Sequence, residues 1–362
     1  MHFFDVIFAA CLLDDGTMYE LLRQQESGSM EYVRTAERLQ KQYAHRLTDE
    51  AGGDLKTLFG FNITTTIGAM LPSLPRSFVS TTCEFPAILS LLHRSGNSVA
   101  AWVCPFTRTL TRTGPVTTDT LLLVSHVDYI SGRDIVRDVI DTLADDPLAG
   151  QTTFTVVVDG AHGLGNNCAV ADITKIRAAF EEKLSVKDFV YIFDHNKWLH
   201  GYSGLAVSLH TGVSAPCIES IFPRRNDNGF AEFDEPVSVS FNPLLPQWSA
   251  NFMGPANNAF DHRRLQAHES LTALFVALTR ERPLAGIEVY EANTNMALLM
   301  TGNAQRLFHF LEEHGYRGHL MGASRIRRDT PGGSGGVRLT FSSQSVDAEA
   351  VASLVSTLRR FR

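Results

Sequence analysis

The sequence predicts an α/β fold built on a mostly parallel, helix-covered sheet, and three observations carry that expectation. Short β-branched and aromatic runs at 153–158 and 189–193 read as buried strands, bounded by charged and glycine-containing turns. Between them, residues 173–184 place apolar side chains at helical spacing, so the unit reads strand–helix–strand. The alternation recurs upstream, with a buried strand from 120 and a helix over 133–144, and repetition of this kind builds a parallel sheet with helices on its faces.

Both central strands end in polar groups. Asp159 and His162 follow the first, and Asp194, His195, Asn196 and Lys197 follow the second. Ligands in open α/β sheets bind outside the carboxyl ends of the strands, so Asp159 and Lys197 should converge on one crevice. A lysine facing a carboxylate there suits pyridoxal phosphate chemistry. That cofactor needs a lysine for its Schiff base and an acid to keep the pyridine nitrogen protonated. Lysines are scarce: of the six at 41, 56, 175, 183, 187 and 197, only Lys197 directly follows a strand. The competing reading of the same pair is a buried ion pair at two strand ends.

The bulk properties exclude several classes. A chain of 362 residues that is 44% hydrophobic can bury a large core and falls between one large domain and two. A net charge of −7 with no long basic run argues against a nucleic-acid partner. The five cysteines at 11, 83, 104, 168 and 217 are scattered and lack C-x-x-C spacing, which indicates neither a disulfide framework nor a zinc site. The apolar start is interrupted by Asp5 and has no basic flank, so it reads as a packed segment and not as a signal peptide. No stretch is long and apolar enough to span a bilayer, and a soluble cytoplasmic protein is the expectation.

The run Val157-Val158-Asp159-Gly160-Ala161-His162-Gly163 resembles the "D-x-A-H-x-x-G" run of the aminotransferase class V family, and Asn196-Lys197-Trp198-Leu199 resembles its "H-K-W/Y-L" run. The family holds cysteine desulfurases, kynureninases and isopenicillin N epimerase-like proteins. The correspondence extends over roughly residues 30–345, and the ordered set of motifs is more specific than any one of them. The resemblance implies a fold-type I pyridoxal phosphate enzyme, with a large α/β domain over 52–260. A small α+β domain would be formed by 1–51 together with 261–362. It also implies pyridoxal 5′-phosphate as cofactor, a small amino-acid substrate, and a homodimer with shared active sites.

Taken in order, residues 30–50 read as a surface helix stopped by Gly52-Gly53. Leu58 to Leu71 then reads as a strand, a hydroxyl-rich turn and a helix start, which offers backbone N–H groups to an anion. This turn is similar to the family's cofactor-phosphate turn, with Thr64 and Thr65 at the contacting positions. A threonine run at a helix start is, by itself, commonly a cap. Glu84-Phe85-Pro86 resembles an "E-F-P" run that places an aromatic ring on the pyridine face, which assigns that position to Phe85. Ser125-His126-Val127 resembles a strand end close to the cofactor's 3′-oxygen and the substrate. His126 and Tyr129 fall there, with the Tyr129 phenol shaping the substrate pocket.

Past Lys197, residues 222–258 are rich in Pro, Asn and Gly, as expected of a crossing loop near a subunit interface. The family's Gly-Thr pair is replaced around Gly254 by a run without threonine, and Asn257 or Asn258 would have to substitute for it. Helices are expected over 261–280 and 304–315, with a strand start after Gly286 and a last helix over 347–358. The strand Val337-Arg338-Leu339-Thr340 matches the family strand whose arginine holds the substrate carboxylate. A guanidinium fork suits that bidentate task.

The resemblance therefore implies that Lys197 holds the cofactor and acts as base at the substrate α-carbon. Asp159 secures the electron sink, and His162 bonds the 3′-oxygen or supports Asp159. Thr64, Thr65, Asp194, His195 and Asn196 would surround the phosphate, and Arg338 the substrate carboxylate. The family has Ser or Thr at the position of Asp194 and His at that of Asn196, and an anionic Asp194 beside a phosphate dianion is unfavourable. Desulfurases carry a nucleophilic cysteine on a loop before the carboxylate arginine, where this chain has Ser324 and no cysteine. Lyase-type chemistry, β-elimination or C–S cleavage in a biosynthetic pathway, is the expected activity. The alternatives are aminotransfer, epimerisation and a non-catalytic scaffold.

Overall fold

The computed structural model describes residues 1–5, 42–60, 62–71, 74–94, 96–199, 206–211, 262–321 and 335–361. The 30–41 part of the first expected helix, the 222–258 loop with Gly254, Asn257 and Asn258, and Ser324 lie outside the described residues.

Residues 42–50 are helical (α1) and lead into β2 (Leu55–Gly60). Helix α2 (Ile63–Met70), β3 (Ser77–Thr81), α3 (Pro86–Arg94) and β4 (Ser98–Cys104) follow. Next come β5 (Thr109–Arg112), β6 (Asp119–Ser125), α4 (Val136–Ala144) and β7 (Thr153–Asp159). Helix α5 (Ile173–Lys183), β8 (Val186–Asp194) and β9 (Ala206–Thr211) complete the larger sheet. Among the described residues that sheet has eight strands in the order β2-β9-β8-β7-β6-β3-β4-β5. The pairs β8–β7, β7–β6, β6–β3 and β3–β4 are parallel. Strand β9 runs against both its neighbours and β5 forms a hairpin with β4, two departures from the alternation that the sequence suggested.

The helix expected from 133 begins at Val136. Gly132 takes a positive φ of 77°, and the Asp134 carboxylate accepts from the Val136 N–H at 3.1 Å, which holds the preceding turn out of the helix.

The pleat assigns alternate residues to opposite faces of the sheet. Leu122, Val124, Val156, Val158, Phe189, Tyr191 and Phe193 enter one core, against Val139 and Ile140 of α4 and Phe180 of α5. Leu121, Leu123, Val157, Val190 and Ile192 enter a second core, against Ile63 and Ile67 of α2 and Ile88 and Leu92 of α3. Tyr43 and Leu47 of α1, and Ala51, pack in the first of these cores. The N-terminal segment is therefore divided: residues 42–51 sit on the large sheet, while Phe4 packs in the smaller core.

The smaller core lies around a four-stranded antiparallel sheet, β10 (Glu288–Glu291), β11 (Met296–Met300), β14 (Gly336–Thr340) and β13 (His319–Met321). Helices α6 (His262–Glu281), α7 (Ala304–Glu313) and α8 (Ala348–Leu358) pack around it. Asn303 caps α7 by accepting from the Arg306 N–H at 3.0 Å, and Asp347 caps α8 by accepting from Ala350 at 2.8 Å. The two-residue strand β1 (His2–Phe3) pairs in parallel with β12 (Tyr316–Arg317) and ties the N-terminus to this unit. No helix among the described residues is long and apolar enough to cross a membrane.

The two units meet at backbone level. The Asn293 side-chain oxygen accepts from the Asp134 N–H at 2.8 Å, and the Asn295 N–H donates to the Asn166 side chain at 2.9 Å. Asn166 in turn donates from Nδ2 to the His162 carbonyl at 2.8 Å.

Candidate active site

Three parallel strands deliver the floor of the site. Ser125, at the end of β6, is in register with Asp159 at the end of β7, and Asp159 with Ile192 of β8. By pleat parity Ser125 follows Leu123, Asp159 follows Val157 and Asp194 follows Ile192, so all three polar residues emerge on the face covered by α2 and α3. They line a cavity of about 540 Å³ together with Asn62, Thr64, Thr65, Phe85, Tyr129, His162, Asn196 and Lys197.

Asp159 is buried and accepts one backbone hydrogen bond, from Ala161 at 2.9 Å. Burial pushes its carboxyl up to about 6, against the lowering effect of the Ala161 N–H and of the Lys197 and His126 charges. Among the described residues the Lys197 amine makes no hydrogen bond and no ion pair, with Asp159 or with any other acid. The competing expectation of a closed ion pair between Asp159 and Lys197 is not what the structure contains.

His162 is buried, and its Nδ1 has no partner. Burial, with the Arg338 and Lys197 charges beside it, holds the imidazole well below its ordinary pKa, so it is neutral at neutral pH. Phe85 is 39% exposed, and its ring meets that of Tyr129 edge-on at 5.3 Å across the cavity.

At the opposite end stands the α2 N-terminus. Asn62 is the cap, its side chain accepting from the Thr65 N–H at 2.8 Å. The Thr65 hydroxyl donates to the Asn62 carbonyl at 3.1 Å, so that threonine is engaged in the turn, and Thr64 lines the cavity beside it. Asp194 is half-buried, and its Oδ1 is shielded and without a partner, as is Asn196 Oδ1. Burial pushes the Asp194 carboxyl up to about 7, with Lys197 opposing and Asp159 adding to the rise.

Two residues expected around the cofactor, His126 and His195, and the one expected at the substrate carboxylate, Arg338, are not among the cavity-lining residues. His126 and His195 each follow a residue of the other core, Val124 or Phe193, by a single step, and the same parity sends them to the helix-α4 side. His126 lies 2.7 Å from the Tyr191 hydroxyl through Nδ1 and 3.2 Å from Asp134 through Nε2. His195 Nε2 lies 2.6 Å from the Tyr43 hydroxyl. Neither ring lines the cavity. Arg338 is fully buried on β14 and donates from one terminal nitrogen to the Tyr129 carbonyl, while its Nε has no partner. It stands behind Tyr129, outside the cavity wall.

The sequence reading gave Glu84 no role beyond its motif. Its carboxylate accepts from the Ser125 N–H at 2.9 Å, the Phe85 N–H at 3.0 Å and the Ser125 hydroxyl. Burial, with Asp159 adding to it, raises this carboxyl to about 7. A lone Glu before an aromatic residue at a helix entrance was the available signal, and it is faint.

These groups suit a flat, protonated aromatic ring. Buried Asp159 could meet a ring N–H, Phe85 offers an aromatic face, His162 Nδ1 lacks a partner and the unpaired Lys197 amine lines the same cavity. A phosphate would find the α2 N-terminus and Asn196, but also a carboxyl group at Asp194.

No family model matches the chain, and no curated protein matches it. Solved structures do. The C-DES protein carrying glycine covalently linked to its PLP cofactor superposes with a TM-score of 0.66 at 17% identity, over 99% of this chain and 93% of that one. A NifS-like protein gives a TM-score of 0.66 at 16% identity, over 99% and 98%. The cysteine desulfurase CsdA of Escherichia coli gives 0.64 at 15% identity, over 99% and 94%.

The chain has the fold-type I fold of pyridoxal phosphate enzymes. Its match to the class V cysteine desulfurases runs nearly the full length of both chains at low identity. In this fold-type I chain the large mixed sheet and the small antiparallel sheet meet beside the cavity, where Tyr129 of the large unit touches Arg338 of the small one.

Proposed function

We propose that the chain is a pyridoxal 5′-phosphate enzyme acting at the α-carbon of an amino-acid substrate through Lys197, with β-elimination and C–S cleavage as its leading chemistry. The observation that carries the reading is the unpaired Lys197 amine beside the buried Asp159 carboxylate in one cavity. When bound, the cofactor supplies an electron sink for the pair released at the α-carbon.

The residues of the chain do the rest. Asp159 holds the proton on the ring nitrogen, with Ala161 fixing its orientation from the other oxygen. Lys197 Nζ takes the α-proton, and neutral His162 is available through Nδ1 to bond a ring oxygen. Phe85 covers a ring face, and Tyr129 narrows the substrate side. Arg338 stands behind Tyr129 with Nε unpaired, in reach of a substrate carboxylate once Tyr129 yields.

Two observations favour C–S cleavage without a protein thiol. Cys83, Cys104 and Cys168 are buried and none lines the cavity, so among the described residues no thiol is placed to receive sulfur. One similar structure is that of a cystine C–S lyase, C-DES, with its product cysteine persulfide, at 17% identity and a TM-score of 0.65. Aminotransfer and epimerisation would use the same Lys197 and Asp159 and differ in product. We include a homodimer in the proposal.

The test is to load the purified chain with pyridoxal 5′-phosphate and offer amino acids and S-substituted cysteines. Release of a thiol or persulfide with pyruvate and ammonia is expected. A stoichiometric amino-group exchange or racemisation would move the assignment to the alternatives. Failure to develop a cofactor absorbance band would leave a scaffold.

A further inference from the structure

The large-sheet register sets out a line of groups along one edge. Ser125 is opposite Asp159, and Asp159 is opposite Ile192 of the next strand, with Asp194 two residues beyond. Asp194 is opposite Ala206 of β9, and Ala206 is opposite Gly60 of β2, which leads directly to Asn62 and α2. Asp194 therefore lies between Asp159 and the α2 N-terminus. A ring held by Asp159 at its nitrogen, with its phosphate at that helix end, must carry the phosphate past Asp194.

Among the described groups facing Asp194, only the Lys197 charge favours its carboxylate form. Lys197 follows in the same turn but makes no ion pair with it. Asp159 on β7 carries the same sign, and His162, across the cavity, is neutral. Helix α2 contributes Asn62, Ile63, Thr64 and Thr65, and β9 contributes Ala206, none of them charged. Helix α3 begins at Pro86, behind the uncharged ring of Phe85, with Glu84 one residue further back. The Asp194 Oδ1 is shielded and unpartnered, and Asp194 lines the cavity, so its carboxyl group has an unfilled hydrogen-bonding position. A carboxylate there would face a phosphate dianion across low-dielectric space, whereas a carboxylic acid would offer it an O–H donor.

We propose that Asp194 receives the cofactor phosphate as a neutral carboxylic acid and donates its O–H to it, so that loading the site takes up one proton. This rests on the cofactor reading above and deepens it. In the ligand-free chain burial already brings this carboxyl to about 7, close to the pH at which the proton is needed. Phosphate binding raises it further, and the interval between the free and bound values is where affinity depends on pH.

The test separates the phosphate from the rest of the ligand. Pyridoxine 5′-phosphate and pyridoxine lack the aldehyde, so neither bonds covalently to Lys197, and the titration of ring and Asp159 is common to both. The ratio of their affinities for the ligand-free full chain is measured from about pH 7 to about pH 9, with calorimetry in buffers of different ionisation heat. The wild-type phosphate advantage should fall by about tenfold per pH unit across that range, with close to one extra proton bound near its upper half. Asp194→Asn, a donor of constant charge, should hold a nearly constant ratio and bind the phosphate ester more tightly than wild type at the alkaline end. A flat wild-type ratio overturns the proposal. So does an equal slope in Asp194→Asn, which would put the proton on the phosphate. Binding of neither ligand to folded protein overturns the cofactor reading along with it.

Discussion

The Tyr43 hydroxyl lies 2.6 Å from Nε2 of His195, joining α1 to the strand end that carries Lys197 across 152 residues of sequence. Both side chains are fully buried, and the Tyr43 ring also stacks on Phe59 at 5.9 Å. The contact fixes, from the far face of the sheet, the residue two places before Lys197. Tyr43→Phe should lower stability by about 1–2 kcal/mol in denaturant unfolding, the cost of leaving a buried ring nitrogen short of a partner. Its cofactor absorbance should keep the wild-type position, because His195 turns away from the cavity. A shifted band in that variant would return His195 to the cofactor side.

Lys197 should be the site of covalent cofactor attachment. Three rivals are held in surface ion pairs, Lys175 with Asp172 at 2.7 Å, Lys183 with Asp141 at 2.6 Å and Lys187 with Asp119 at 3.7 Å. Borohydride reduction of the loaded protein followed by peptide mapping should mark Lys197, and Lys197→Ala should lose the mark. A label on Lys175 or Lys183 would refute the assignment.

In the ligand-free protein three carboxyls should each contribute a loss of stability as pH rises from about 4 to about 7, opposed over the same interval by the buried neutral His162 and His268. Glu84, Asp159 and Asp194 have folded-state values near 7, 6 and 7, all above those of an unfolded chain. Between the unfolded and folded values the native state holds more protons than the unfolded state. The contribution of these three groups to the slope of unfolding free energy with pH is then negative, and it levels off above the folded values. Each group accounts for on the order of 1–3 kcal/mol. Asp159→Asn should therefore melt higher than wild type at about pH 8 without ligand, while losing most substrate α-proton exchange when loaded. A melting gain of Asp159→Asn over wild type that does not grow with pH across this interval would contradict the assignment.

Arg338→Ala should weaken amino-acid substrates far more than the corresponding amines, by roughly tenfold to a hundredfold, as expected for loss of a charge-assisted bond. Arg338→Lys should recover little, since an ammonium lacks the fork. Equal losses for acids and amines, measured as kcat/KM, would make the guanidinium a support for the Tyr129 carbonyl and nothing more.

Much of this architecture was legible in the chain. The runs at 153–158 and 189–193 became β7 and β8, and the residues between them became α5, because their apolar periods differ and the strands are buried on both faces. The cavity residues Asp159, Lys197, Phe85, Thr64 and Tyr129 were legible as strand-end and helix-start positions. His126 and His195 belong to polar clusters whose members alternate between the two faces of the sheet. Counting by twos from Leu123 and Ile192 places Ser125 and Asp194 on the cavity face and their histidine neighbours on the other. The grip of Glu84 on Ser125 spans 41 residues, and no local pattern announces such a pairing. Nor does any local pattern reveal that β9 runs antiparallel.

The Asn166 side chain joins the two units in a further sense. It donates to the His162 carbonyl and accepts from the Asn295 N–H, while Asn295 returns a bond to the Asn166 carbonyl. One amide group thus grips the turn beneath the cavity with one hand and the smaller sheet with the other. Any rotation of the small unit against the large one would therefore pull on the turn that carries His162.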